Sequence, residues 1–182
     1  MIINKGKTES LRKFYERDKY SILKHNSTFD DLKDLAQFWE DIADQNSKRF
    51  SENILRKLFT LNYAPNSMWN YFISVYYMAN RNKNGDLNAK EFEIFLDRTI
   101  AFIWGYAIIH PGVNALRTPL FAEMLNIVNL NEVTFSEFKF NKEKTRSAIV
   151  IYDFKNGRPI TKSMLTLRMM LNNEQVLPKL SQ

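Results

Sequence analysis

The chain has 182 residues, 45% of them hydrophobic and 25% charged, which suits one folded domain and excludes an intrinsically disordered chain. It contains no Cys, which excludes disulfides, thiolate metal sites and cysteine nucleophiles and makes a reducing, cytoplasmic compartment the expectation. The net charge of +6 is concentrated near the end: residues 61–135 hold 5 basic and 6 acidic groups, whereas residues 136–182 hold 9 and 4.

From Thr8, a candidate N-cap, to about Asn26, the apolar residues Leu11, Phe14, Tyr15, Ile22 and Leu23 lie mainly on one stripe of a charged helix. Thr28 with Asp31 three residues later resembles a capping pair. It opens a second helix in which Leu32, Leu35, Ala36, Phe38, Trp39, Ile42 and Ala43 repeat at helical spacing. Ser51 caps a helix with Ile54, Leu55, Leu58 and Phe59 on one face, and Pro65 with Asn66 or Ser67 marks the next start. Trp69, Phe72, Ile73, Tyr76 and Tyr77 form its inward stripe. After a polar break at 80–86 comes a long helix, apolar nearly all round, through Phe92, Ile94, Phe95, Leu96, Ile100, Phe102, Ile103, Tyr106 and Ala107. Such a helix belongs in the middle of a bundle. His110-Pro111-Gly112 ends it. A further helix runs from Thr118 to about Leu130 with Leu120, Phe121, Met124, Leu125 and Val128 inward.

The expected fold class is all-α, an irregular multi-helix bundle over residues 1–135, with a basic C-terminal extension, 136–182, packed on or continuing it. The expected core includes Leu35, Trp39, Leu58, Trp69, Phe72, Phe95, Phe102 and Leu125. In the extension, residues 148–152 are β-branched and precede an Asn156-Gly157 turn, so periodicity leaves strand and buried helix open. The longest apolar runs, such as residues 100–109, fall short of the ~20 residues that span a bilayer, and the N-terminus is not signal-like. A soluble, unexported protein is expected.

Catalytic signatures are scarce. The five glycines, Gly6, Gly85, Gly105, Gly112 and Gly157, are scattered, which excludes a phosphate-cradling P-loop or a dinucleotide fingerprint. His25 and His110 lack a second ligand at i, i+4, so no zincin-type site exists, and each reads as a surface or capping residue at a helix end. Asp30, Asp31 and Asp34 read as a solvated helix start, Glu91 and Glu93 as an exposed helix face. Trp39, Trp69, Trp104 and the Tyr76-Tyr77 pair read as core rather than as base-stacking platforms.

One loop imitates a metal site. Asn80, Asn82, Asn84, Gly85, Asp86 and Glu91 fall on the EF-hand calcium pattern, with Leu87 at its apolar position. Three Asn replace the acidic ligands, Glu91 is the only carboxylate at a first-shell side-chain position, and Arg81 and Lys83 add positive charge. An Asn-Gly turn leading into a helix capped near Asp86 or Asn88 explains the same residues. No bound metal and no cofactor are expected.

The segment Asn173-Glu174-Gln175-Val176-Leu177-Pro178-Lys179, preceded by Lys144-Thr145-Arg146-Ser147 and the apolar run 148–152, resembles the opening of the C-terminal nuclease domain of GmrSD-type restriction proteins. There an Arg-containing apolar segment precedes a Glu-His-Ile-Leu-Pro-Gln/Lys motif. Leu35-Ala36-x-Phe38-Trp39, Trp69 opening a helix, and Asn114-x-Leu116-Arg117 are similar to the family's helical middle region. In that family a ParB-like domain comes first, and an HNH-type nuclease that cuts modified or foreign DNA with a divalent metal comes last. Glu174, Gln175 and Pro178 stand in the nuclease motif. Gln175 occupies the position of the His that deprotonates the attacking water, and its amide cannot act as a general base. The chain also stops at Gln182, before the Asn and second His of the metal-binding unit.

The resemblance implies a non-catalytic helical region of a restriction or phage-defence protein, with a coupling or scaffolding role. Its implied partners are DNA and a ParB-like NTPase or nuclease domain or subunit. Weak, sequence-independent DNA contact is expected through Lys139, Lys142, Lys144, Arg146, Arg158, Lys162 and Arg168. The alternative is a free-standing helical protein-interaction module, with or without a calcium response at the Asn80–Glu91 loop.

Overall fold

Side-chain caps and left-handed residues set the ends of the helices. The computed structural model describes residues 10–64, 66–110, 115–135, 141–144 and 147. Among them, α1 (Leu11–Glu16), α2 (Ser21–Lys24), α3 (Thr28–Ala43), α4 (Glu52–Leu61), α5 (Met68–Asn80), α6 (Ala89–Ile109) and α7 (Arg117–Val128) form an all-α, multi-helix bundle without a strand. No described helix is long and apolar enough to cross a membrane. Ser51 Oγ accepts from the Ile54 N–H at the start of α4, and Asn88 Oδ1 accepts from the N–H groups of Lys90 and Glu91 at the start of α6. Thr8 and the stretch 148–152 lie outside the described residues.

Two expected helix starts differ. The single helix from Thr8 to Asn26 is broken: α1 passes into a 3-10 turn at Arg17–Tyr20, and Lys19 and Tyr20 adopt φ of 55° and 64° before α2 begins. Left-handed residues end an α-helix, and the stripe here buries too little to oppose the break, since Tyr20 and Leu23 stay exposed. At α3 the N-cap is Ser27, not Thr28, and no side chain caps the helix; Ser27 Oγ donates instead to the Asp31 carboxylate at 3.0 Å.

The ends of α3 and α7 share one geometry. Gln45 (φ 51°) and Leu130 (φ 59°) stand in the left-handed region. The Asn46 N–H returns to Asp41 O and Gln45 N–H to Ile42 O; likewise Asn131 N–H returns to Asn126 O and Leu130 N–H to Ile127 O. Both are Schellman caps in which a non-glycine residue takes the position where glycine is preferred.

The core is aromatic. α4 packs closely on α6 and α5 on α7, while α3 lies against α5. α5 and α6 face each other across a layer of rings: Tyr76 stacks on Phe95 at 3.8 Å, and Phe72 meets Phe95 at 5.0 Å. Phe38 of α3 stacks on Tyr77 at 4.1 Å, and Phe135 covers Phe102 at 4.2 Å. Of the expected core, Leu58, Trp69, Phe72, Phe95 and Phe102 are buried, and Leu35 and Trp39 are partly buried against them. Leu125 is only half-buried, with Met124 and Ile127 carrying the inward face of α7. Val128, Ile94 and Leu32 point outward, Leu32 being 61% exposed. The reason at Leu32 is rotational: with Leu35, Phe38 and Ile42 turned to α5, a residue three positions before Leu35 falls on the edge of the stripe, where no helix covers it.

Gln45→Gly is expected to raise stability by roughly 0.5 kcal/mol, the left-handed penalty of ~1–2 kcal/mol being partly offset by glycine's larger loss of backbone freedom. Gln45→Val is expected to lower stability, because a β-branched residue is an outlier there. Urea denaturation of the two variants checks the opposite signs.

Candidate functional site

Arg49 lies in the short connection between α3 and α4, just before Phe50, which belongs to the core. Its guanidinium donates to the Asp41 carboxylate and to the carbonyl of Gly85, with the Tyr77 hydroxyl at 3.5 Å. Tyr77 itself donates to Gly85 O at 3.1 Å. Burial would raise the Asp41 carboxyl, but hydrogen bonds from Asn46 and Arg49 and the guanidinium charge outweigh it and hold it below the usual range. Burial likewise opposes the charge on Arg49 and is the largest single influence, but the hydrogen bonds and charges of Asp41 and Tyr77 together outweigh it and raise the guanidinium above its ordinary value. The candidate calcium loop is thus pinned from inside through Gly85.

Three Asn side chains of the loop are already engaged. Asn82 Oδ1 accepts from the backbone N–H groups of Asn84 and Asp86, at 2.8 and 2.9 Å. Asn80 donates to Tyr76 O, and Asn88 caps α6. Gly85 has φ of 80°, and a Cβ there would sit 3.3 Å from the Tyr77 hydroxyl oxygen. Arg81 turns away from the loop onto Asp31 and Asp34 of α3. Asp31 and Asp34 thus bridge to the end of α5 while staying partly open to water, and Asp30 and Asp31 stand in the first turn of α3 as expected. Glu93 is a bridge too: with Asp97 it holds Lys57 of α4, at 3.0 and 2.8 Å. Among the described residues no three His, Asp or Glu side chains converge on a metal position. His25 and His110 are the C-caps of α2 and α6, at helix ends as expected.

A second feature had no sequence signal. Behind the loop, an open groove of about 460 Å³ runs between α5, α6 and the chain leaving α7. Its floor is Tyr76, Ile94, Phe95, Ile127 and Val133, and its rim carries Asn80, Glu91, Arg98, Leu130 and Glu132. Arg98 bonds Glu132 and, at 3.1 Å, the carbonyl of Val133. The buried Glu123 carboxylate accepts from the Thr134 N–H at 3.2 Å and from Asn126, fixing the chain that closes the groove. Burial, and then the negative charge of Glu91, raise the Tyr76 phenol, which keeps its hydroxyl protonated. Three separate segments, 76–80, 91–98 and 127–133, build this groove, so periodicity within one helix cannot reveal it.

At the basic end, Lys142 and Lys144 are exposed in helical backbone, where Asn141 Oδ1 accepts from the Lys144 N–H. Lys139, Arg146, Arg158, Lys162 and Arg168, together with Glu174, Gln175 and Pro178, lie outside the described residues. Comparison with protein-family models, with curated proteins and with solved structures finds no match to this chain.

Arg49→Met is expected to destabilise by about 3 kcal/mol or more, because it leaves the buried Asp41 carboxylate without its cation. Asp41 adds a pH term. Since its folded pKa is depressed, its contribution is complete above the unfolded value of about 3.9 and is lost as pH falls through the lower folded value. Urea midpoints should therefore fall more steeply from pH 5 to pH 3 in the parent chain than in Asp41→Asn. Calcium titration calorimetry is expected to show no binding tighter than millimolar, because carboxylate count sets affinity in such loops and the Asn80 and Asn82 side chains are already engaged.

Proposed function

We propose that the chain is a non-catalytic helical scaffold that couples other parts of a restriction or phage-defence assembly, like the middle region of GmrSD-type proteins, and touches DNA weakly through its basic end. The observation that carries this reading is the division of charge. In the bundle, Arg49, Arg81, Lys57 and Arg98 are all bound to carboxylates, so their charges join helices to each other. Residues 136–182 hold 9 basic groups against 4 acidic ones, and the two described lysines there are exposed. A phosphate backbone is attracted more strongly to the second region than to the first. Gln175, in place of a general base, supports the non-catalytic part of the reading.

The second reading, a free-standing protein-interaction module, is favoured by the apolar-floored groove between α5, α6 and the end of α7.

A salt series on labelled duplex tests the first. The expected result is weak, sequence-independent binding that falls steeply with salt, with Lys142→Gln and Lys144→Gln each lowering the slope by about 1 where they contact phosphate. Incubation with magnesium or manganese should leave the duplex uncut. No binding at low ionic strength would end the DNA part of the proposal, and metal-dependent cutting would end the non-catalytic part.

A further inference from the structure

Leu130 is costly twice over. It occupies a left-handed position (φ 59°) that glycine or asparagine would fill at lower energy, and its side chain is 87% exposed. Its backbone closes the cap of α7, but its side chain serves neither the cap nor the core. Its place is the rim of the groove, and Ile94 of the same groove, 45% exposed, adds to the open apolar surface. The groove's volume of about 460 Å³ lies within the range of ~300–1,000 Å³ usual for ligand sites, and its open form suits an extended chain.

The polar groups of the rim have one sign. Arg98 is neutralised by Glu132, which leaves Glu91 without an ion pair among the described residues. The Tyr76 hydroxyl, which lines the same groove and feels the Glu91 charge, has no hydrogen-bond partner among the described residues either. A carboxylate, a free phenol and an aromatic wall of Tyr76 stacked on Phe95 together favour a cation carried on an apolar stem. Leu130 and Ile94 favour an apolar neighbour beside it.

We infer that this groove docks a short peptide segment of a partner protein in which a Lys or Arg stands next to large apolar residues, the cation meeting Glu91 and Tyr76 and the apolar side chains covering Leu130 and Ile94. The inference rests on the reading of the chain as an interaction scaffold and names the chemistry of its partner.

The test uses the full chain and three fluorescein-labelled hexapeptides, of alternating Leu and Lys, Leu and Glu, and Ser and Lys, followed by anisotropy. The Leu/Lys peptide is expected to bind, and the other two at least tenfold more weakly. Glu91→Gln and Leu130→Ser, both at exposed positions, should each weaken the Leu/Lys peptide at least fivefold while circular dichroism stays unchanged. Equal binding of Ser/Lys, equal binding by the two variants, or no binding at millimolar peptide overturns the inference. Binding that tightens more than tenfold on Lys142→Glu with Lys144→Glu would assign the groove to the chain's own basic stretch and overturn it as well. Because duplex binding is read separately, loss of either activity alone shows whether the docking inference or the DNA reading has failed.

Discussion

The Arg49 guanidinium is the constraint on which the rest of the bundle depends. It is largely withdrawn from water, and a buried cation is tolerated only when its donors are matched. Asp41, in the last turn of α3, and the Gly85 carbonyl, in the loop between α5 and α6, supply that match, with the Tyr77 hydroxyl alongside. One side chain thereby fixes the end of one helix, the connection to the next and a loop 36 residues away. The alignment of Phe38 on Tyr77 follows, because their helices are held at the height where the two rings stack.

The other ion pairs work differently. Arg81 with Asp31 and Asp34, Lys57 with Glu93 and Asp97, and Arg98 with Glu132 have one or both partners in contact with water. Each contributes at most about 1 kcal/mol. Their value is in register: a cation placed between carboxylates one helical turn apart locates one helix along another. The same pairing neutralises part of the bundle's charge locally, while residues 136–182 carry 9 basic groups against 4 acidic ones.

The groove is a by-product of the aromatic core. Large rings at Phe72, Tyr76, Phe92 and Phe95 fill the space between α5 and α6, and the chain after α7 lines the groove beside them. Smaller residues would let the helices approach and remove the groove. Its existence and the packing of the core therefore have one cause, and the left-handed cap at Leu130 sets one edge of its mouth.

Local chemistry was legible in the sequence. Ser51 and Asn88 cap the helices they precede, the stripes of Leu58, Trp69, Phe72, Phe95 and Phe102 are buried, and the all-α class follows from the spacing of those residues. Such features depend on neighbours within about one turn, which a sequence displays directly. The break at Tyr20, the exposure of Leu32 and Val128, the use of Asp31, Asp34 and Glu93 as bridges, and the groove around Tyr76 were not legible. Whether an edge leucine is covered, or a surface carboxylate meets a cation, depends on which helix lies opposite, and residues as far apart as Asp31 and Arg81 meet only after the chain has folded. The sequence by itself determined where helices form and which face of each seeks cover; the tertiary structure decided which charges pair, and which apolar surface remains open, because both depend on distances between elements that no local pattern encodes.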